Sequence, residues 1–391
     1  MPRSKTARYA TFGLIYFAQG AILSYFTALN ALYLLSFNLS MAQVGIFGAI
    51  ALFPFVLKIF LGMLSDKVNL LGRGHRQPYI VLGLLVQAVC LFLVPFFNPA
   101  AQFGLFAGLA FVLMSGMALY DTCTDGLALD TTPADEQGTI QGIMVGCRAL
   151  GVVIISAGIG LLVHLADWKA AFWTLGILTL APLPLVLGVR EHPQPPERQF
   201  QWSAFRAFAK WPVIALALLG ALYSLIINGA TEILNPFLQT TYGISYVSAG
   251  LYTAVWGVGV MIGGAAGGRL ADRAGHRRAV LGALIVSLVA IAALAIITGP
   301  ALAWPLALTF GVAFGFYEAV YFATAMRFTD PRIAASMFAL LMAVANIGTG
   351  IGLAVSGGLV DAIGYRLTFV AIAGLNLLAL PLIPAIFRRR A

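Results

Sequence analysis

YATFGLIYFAQGAILSYFTALNALYLLSFNLSMAQVGIFGAIALFPFVL, residues 9–57, contains no Asp, Glu, Lys or Arg. A membrane-spanning helix needs about 20 mostly apolar residues, so this stretch has room for two spans and the turn between them. The segment from Gln77 to Tyr120 has the same character. Over all 391 residues, 61% are hydrophobic and 9% charged, and mean hydropathy is +0.94. Soluble domains are about one quarter charged, and 23 basic plus 14 acidic side chains cannot coat a soluble body of this size. Composition therefore excludes a soluble enzyme and makes this a multi-pass membrane protein.

Breaks at Pro, Gly or charge predict twelve spans, 9–36, 42–65, 77–97, 101–130, 139–165, 168–190, 212–240, 246–270, 278–299, 303–328, 331–360 and 365–387. The basic start MPRSKTAR resembles a signal peptide, but the apolar run outlasts the usual signal core, so it reads as a retained first span. Of the 23 basic residues, 19 fall on the side that holds both termini, while Lys169 and Arg366 fall on the other and Lys58 and Arg148 within spans. Positive charge stays on the cytoplasmic face, which puts both termini there. The net charge of +9 belongs to these short loops, so no nucleic-acid partner is expected. Cys90, Cys123 and Cys147 lie in apolar segments and read as packing residues; the four histidines are scattered. Neither metal nor cofactor is expected, and with no phosphate-binding loop the drive falls to an ion gradient or to the substrate's own gradient.

Residues 191–211 are polar and proline-rich and form a linker between a first bundle, 1–190, and a second, 212–391. The halves echo each other: Gly62-Met-Leu-Ser-Asp66-Lys67 answers Gly268-Arg-Leu-Ala-Asp272-Arg273, and Gly116-Met-Ala-Leu-Tyr120-Asp121 answers Gly315-Phe-Tyr317-Glu318. The segment GGRLADRAGHRR, 267–278, resembles the signature loop of the major facilitator superfamily. That resemblance implies an all-α fold of twelve transmembrane helices in two pseudo-symmetric six-helix bundles that alternate access to a central cavity. Asp66, Asp272 and Arg273 would then help to close the cytoplasmic side, where a small residue admits a neighbouring helix and a carboxylate meets its positive end.

An ionisable side chain in hydrocarbon costs about 2.5–3.5 kcal/mol on insertion scales, so it usually faces a cavity or a partner. Lys58, Asp121, Asp125, Asp130, Arg148, Glu232 and Glu318 are the groups in question. Helical rise places Lys58, Asp121 and Arg148 at one depth on the second, fourth and fifth spans. Arg148 is the candidate anion anchor, assisted by Lys58, Asp125 and Tyr317; Lys58 alternatively forms a permanent bridge to Asp121. Glu318 is the first candidate for a coupling proton and Asp121 the second. Asp125 shares a helical face with Asp121, whereas Asp130 belongs near the cytoplasmic gate. Glu232, between Gly229 and Pro236, suggests a broken helix at the outer gate. Asn30, Gln87, Asn228 and Asn346 offer neutral hydrogen bonds, and Tyr16, Tyr25 and Trp256 offer stacking surfaces.

YDTCTDGLALDTTPADEQGTIQGIMVGCRALG, 120–151, resembles the anhydromuropeptide permease (AmpG-type) branch of the superfamily through Asp121, Asp125, Asp130, Pro133, Glu136, Gly138, Gly146 and Arg148. Gln137 and Cys147 depart from that branch's basic and aromatic positions. The resemblance implies proton-coupled import of cell-wall sugar-peptide fragments across a bacterial inner membrane, without fixing the substrate; the expected cargo is a small polar or anionic solute, the expected partners are that solute, protons and lipid, and the expected state is a monomer. HRQPYIVLGLLVQ, 75–87, and DGLALDTTP, 125–133, are also similar to light-harvesting assembly (PucC-type) proteins, which implies a pigment-assembly alternative. Export of hydrophobic compounds is a third reading, and it would require an apolar cavity. Replacing Asp272 with Asn is expected to slow the transport cycle more than it weakens binding, measured as turnover against equilibrium affinity in proteoliposomes; equal losses would remove the gate role.

Overall fold

The computed structural model describes residues 5–72, 74–132, 137–189, 191, 206, 210–328 and 334–387. The side chains of Asp66, Lys67, Gln137 and Asp272, the turn 133–136 and most of the linker lie outside the described residues. In a bilayer, backbone N–H and C=O groups have no water to bond, so each span must satisfy its own. All regular structure among the described residues is accordingly helical.

Ten segments are long and apolar enough to cross a membrane, and the last of them, Met337–Phe387, holds two spans. Gly364 divides it with φ 77°, a conformation that a residue bearing a Cβ rarely adopts. With the amino-terminal helix, the twelve expected spans are present. We label them α1 (Lys5–Ala28, continued by Asn30–Leu35), α2 (Met41–Val56 and Lys58–Lys67), α3 (Gln77–Leu93), α4 (Phe103–Thr131), α5 (Gln137–Leu165) and α6 (Trp168–Leu180 and Leu183–Leu187). The second half gives α7 (Trp211–Tyr242), α8 (Tyr246–Ala274), α9 (His276–Leu294), α10 (Pro300–Phe328), α11 (334–363) and α12 (365–387).

Two helices differ from their sequence expectation. α2 is interrupted: Pro54 has no N–H to give, the Leu57 N–H bonds to Pro54 O at 3.0 Å, and the helix restarts at Lys58. The expected break at Glu232 is absent. α7 runs unbroken for 32 residues through Pro236 and ends on Gly243, in the left-handed conformation at φ 64°. One lost hydrogen bond at a proline does not end a membrane helix whose neighbours enclose it.

The chain divides into two compact units, residues 1–26 with 53–199 and residues 27–52 with 200–391. Within the first, α1 and α5 meet through Gly20 and Gly151, each set against a carbonyl of the other helix, and α3 meets α4 through Gly83 and Gly116. Within the second, Gly348 and Gly352 of α11 lie on carbonyls of α7, while Gly259, Gly263 and Gly267 of α8 face Gly311 and Gly315 of α10 or their neighbours. Between apolar helices in lipid, such close backbone approach supplies the packing attraction. Gly151 and Gly348 are separated by the same interval as Asp121 and Glu318, so the repeat extends to helix contacts. Segment 27–52 is held in the second unit by two contacts: the Asp361 carboxylate accepts the Met41 and Ala42 N–H groups at 3.1 and 2.7 Å, and Asn235 Nδ2 donates to Ala28 O at 2.9 Å.

Apolar side chains such as Leu165, Ile177 and Phe96 are exposed, whereas Gln19, Gln87 and Asp121 are buried. That inversion suits a lipid surround. Gly263→Leu is expected to cost about 1–3 kcal/mol or more through overpacking against Val312. Gly268→Ala, which meets nothing within 4 Å, should stay within about 0.5 kcal/mol of wild type. Thermal unfolding in detergent compares the two.

Candidate functional site

In the first unit, three helix faces bring the expected ionisable groups together. The break after Pro54 sets Lys58 at the start of a helical segment, where its ammonium pairs with Asp121 Oδ2 of α4. Asp121 Oδ1 accepts a hydrogen bond from Gln19 Nε2 of α1 at 2.7 Å. One turn further along α4, the Asp125 carboxylate accepts the Tyr16 hydroxyl, also from α1. Tyr16 and Gln19 are three residues apart and Asp121 and Asp125 four, so two adjoining helical faces are stitched side chain to side chain.

Arg148 of α5 comes to the same place by backbone packing, with its carbonyl against Gly20. It is half-buried and lies within electrostatic reach of Tyr16, Lys58 and Asp125. Its guanidinium makes no hydrogen bond or ion pair among the described residues. Of the two in-span cations, Lys58 is therefore neutralised and Arg148 is left unpaired. Lys58, Asp121, Asp125 and Arg148 are thus brought together in the first unit, with the Lys58–Asp121 ion pair as one component.

Asp130 lies apart from this group. It faces Arg76 Nε at 3.7 Å, and Arg76 Nη1 donates to Ser65 Oγ at 2.6 Å while its guanidinium packs on Gly126. The Glu191 carboxylate accepts N–H groups from His75 (2.7 Å), Arg76 (2.8 Å) and Gln77, capping the start of α3 with the first residue of the linker. Asp66 lies in the last turn of α2 and Asp272 near the end of α8, and the side chains of both are outside the described residues. Arg273 ends α8 with its side chain exposed.

The second unit repeats the scheme with different chemistry. Glu318 of α10 shares a hydrogen bond with the Tyr223 hydroxyl of α7, as Asp121 does with Gln19 of α1. Tyr317 and Tyr321 pack against Tyr223, with ring centroids 4.9 and 5.3 Å away, and their own hydroxyls are buried with no hydrogen-bond partner among the described residues. The Tyr317 ring is fully buried in this contact. Tyr25 stands edge-on to Phe172 in the first unit, and Asn228 Nδ2 meets Thr349 Oγ1 at 3.2 Å in the second. Glu232 is half-buried in the unbroken α7, and its Oε1 has no partner. Among the described residues, no group of three His, Cys, Asp or Glu is placed to hold a metal.

Sequence reasoning missed Gln19, Arg76, Glu191 and Asp361. Gln19 carried one signal, as an amide inside a charge-free span. Arg76, Glu191 and Asp361 look like ordinary loop-edge charges, and only the folded chain brings them to their partners.

Residues 12–344 match the sequence pattern of the Major Facilitator Superfamily. The chain belongs to that superfamily. It is 24% identical to the anhydromuropeptide permease of Escherichia coli over 378 residues, covering 87% of this chain and 73% of the permease. It is 28% identical to a folate-biopterin transporter of Synechocystis sp. over 204 residues, 49% of this chain and 41% of that protein. Its fold is similar to a bacterial homolog of the human lysosomal transporter Spinster, inward-facing and occupied, with TM-score 0.78, 19% identity and coverage of 97% and 95%. The nucleoside transporter NupG gives TM-score 0.73 at 16% identity, covering 98% of this chain and all of that one. The chain is therefore a multi-pass membrane transporter of the major facilitator type.

In this facilitator, removing one member of the Lys58–Asp121 pair leaves an uncompensated charge inside the membrane. Lys58→Met or Asp121→Asn alone should cost about 3–5 kcal/mol, and the double variant should regain most of that loss. Chemical denaturation of the four proteins measures it; additive losses would show that the two groups are independent.

Proposed function

We propose that the protein is a proton-driven secondary carrier that moves a small polar or anionic solute across a bacterial inner membrane by alternating access. The observation that carries this reading is the unpaired Arg148 guanidinium beside an already neutralised Lys58. A guanidinium binds a carboxylate or phosphate through two parallel hydrogen bonds, and an intramembrane charge without a protein partner is a functional position by default. Solutes of the kind in the relatives' names, a muropeptide or a folate, fit a site with one open cation. Asp125 and Tyr16 would border it.

Glu318, which shares a hydrogen bond with the Tyr223 hydroxyl at the repeat position of Asp121, is the residue to exchange the driving proton. The Arg76–Asp130–Ser65 contacts, together with Asp66, Asp272 and Arg273, would close the cytoplasmic end, with both termini on that side. One chain contains both repeats and suffices as a monomer.

Arg148→Ala should weaken binding of anionic solutes about 10- to 100-fold, the range of a charged hydrogen-bonded contact, and leave uncharged ones nearly unchanged. Glu318→Gln should abolish accumulation against a gradient while exchange between equal pools continues. Both are read by radiolabelled uptake into proteoliposomes. Continued uphill accumulation by Glu318→Gln would remove the proton role from Glu318, and equal loss for charged and neutral solutes would remove the anion role from Arg148.

A further inference from the structure

We propose that the first unit binds one proton with each anionic group that it binds, the proton on Asp125 and the anion on Arg148. The inference rests on the carrier reading above and gives that site its stoichiometry. The argument begins with the unequal positions of two carboxylates on one face of α4. Asp121 has both oxygens engaged, one by the Lys58 ammonium and one by Gln19 Nε2. A proton added there would displace a donor. Asp125 accepts the Tyr16 hydroxyl on one oxygen, and its other oxygen makes no hydrogen bond among the described residues. A proton from water can add to that oxygen without breaking a contact.

The groups that face Asp125 come from each element packed around it. α1 supplies Tyr16 and Gln19, α2 supplies Lys58, α4 itself supplies Asp121, and α5 supplies Arg148. From the α3 side, Arg76 packs on the adjacent Gly126 but is turned to Asp130 and Ser65. The local set is thus two cations and two carboxylates.

With Asp125 ionised the four charges cancel, and an anion arriving at Arg148 would leave a net negative charge in a medium that penalises it. With Asp125 protonated the empty site is one charge positive, and the anion restores neutrality. Proton and anion therefore favour each other's binding, and the coupling is reciprocal. A site loaded with both carries the same charge as the empty, ionised site, so its movement across the membrane transfers no net charge at this unit. The proton on Asp125 is distinct from the one exchanged at Glu318, and it enters with the solute.

Two measurements on the full chain in liposomes test the proposal. The first is infrared titration of the carbonyl band of a protonated carboxyl, which needs no solute. Asp125→Asn should remove the component that the double variant Lys58→Met/Asp121→Asn keeps, and Arg148→Gln should shift the pH at which it appears. Asp125→Glu, which retains a carboxyl, should restore it. Loss of the component with the double variant but not with Asp125→Asn, or no shift with Arg148→Gln, would overturn the assignment.

The second is binding of folate and of an anhydromuropeptide as a function of pH. Affinity should rise about tenfold for each unit of falling pH while Asp125 is ionised, the slope of one linked proton. The slope should vanish in Asp125→Asn and persist in Glu318→Gln. Binding of either probe with no slope would overturn the linkage. If neither probe binds at any pH while the infrared result holds, the carrier reading for these solutes fails and Asp125 remains the proton site.

Discussion

Hydrocarbon tolerates a charge only when something meets it, and the Lys58–Asp121 pair is where this protein satisfies that requirement at mid-membrane. Forming the pair depends on a helix that breaks after Pro54, on a fourth span that turns Asp121 inward, and on Gln19 to occupy the remaining oxygen. Once Lys58 is committed, the other charges acquire distinct characters. Among the described residues, Arg148 is left without a hydrogen bond or ion pair and Asp125 keeps one oxygen open. The site is defined by what the ion pair leaves over.

The second repeat solves the same problem by another means. Glu318 occupies the position of Asp121, and Tyr223 of α7 reaches it as Gln19 of α1 reaches Asp121. No in-span lysine answers Lys58 there, since the basic residues of the second half lie at span ends or in loops. A shared backbone plan therefore carries a charged cluster in one unit and a carboxyl among tyrosines in the other. The two copies meet one constraint with different side chains.

How far each feature was legible depends on its range along the chain. Span number, the repeat and the shared depth of Lys58, Asp121 and Arg148 follow from hydropathy and a fixed helical rise, which are local rules. The break at Leu57 has a visible cause in Pro54, but Pro236 presents the same residue without a break, because the neighbours of each helix decide the outcome. Partner choice is less legible still. Tyr16 meets Asp125 across more than a hundred residues, and Glu191 meets the start of α3 across a similar distance. No spacing rule connects such residues, and any of several polar groups at the right depth would have satisfied a reading of the sequence alone.

Relatives in this superfamily carry names that refer to muropeptides, folate-biopterin and nucleosides, and the similarity to solved structures at 16–19% identity extends to architecture only. Solute choice must then come from side chains that the architecture leaves variable. Glycines such as Gly20, Gly151, Gly348 and Gly352 fix where backbones meet and are set by the fold, since any Cβ there would strike a carbonyl. The polar residues between those contacts are under no such steric demand. Among the described residues, an arginine with no structural bond to maintain and a carboxylate with one oxygen unused are costly in a membrane on grounds of stability alone, and the proposed ligand is what would offset that cost.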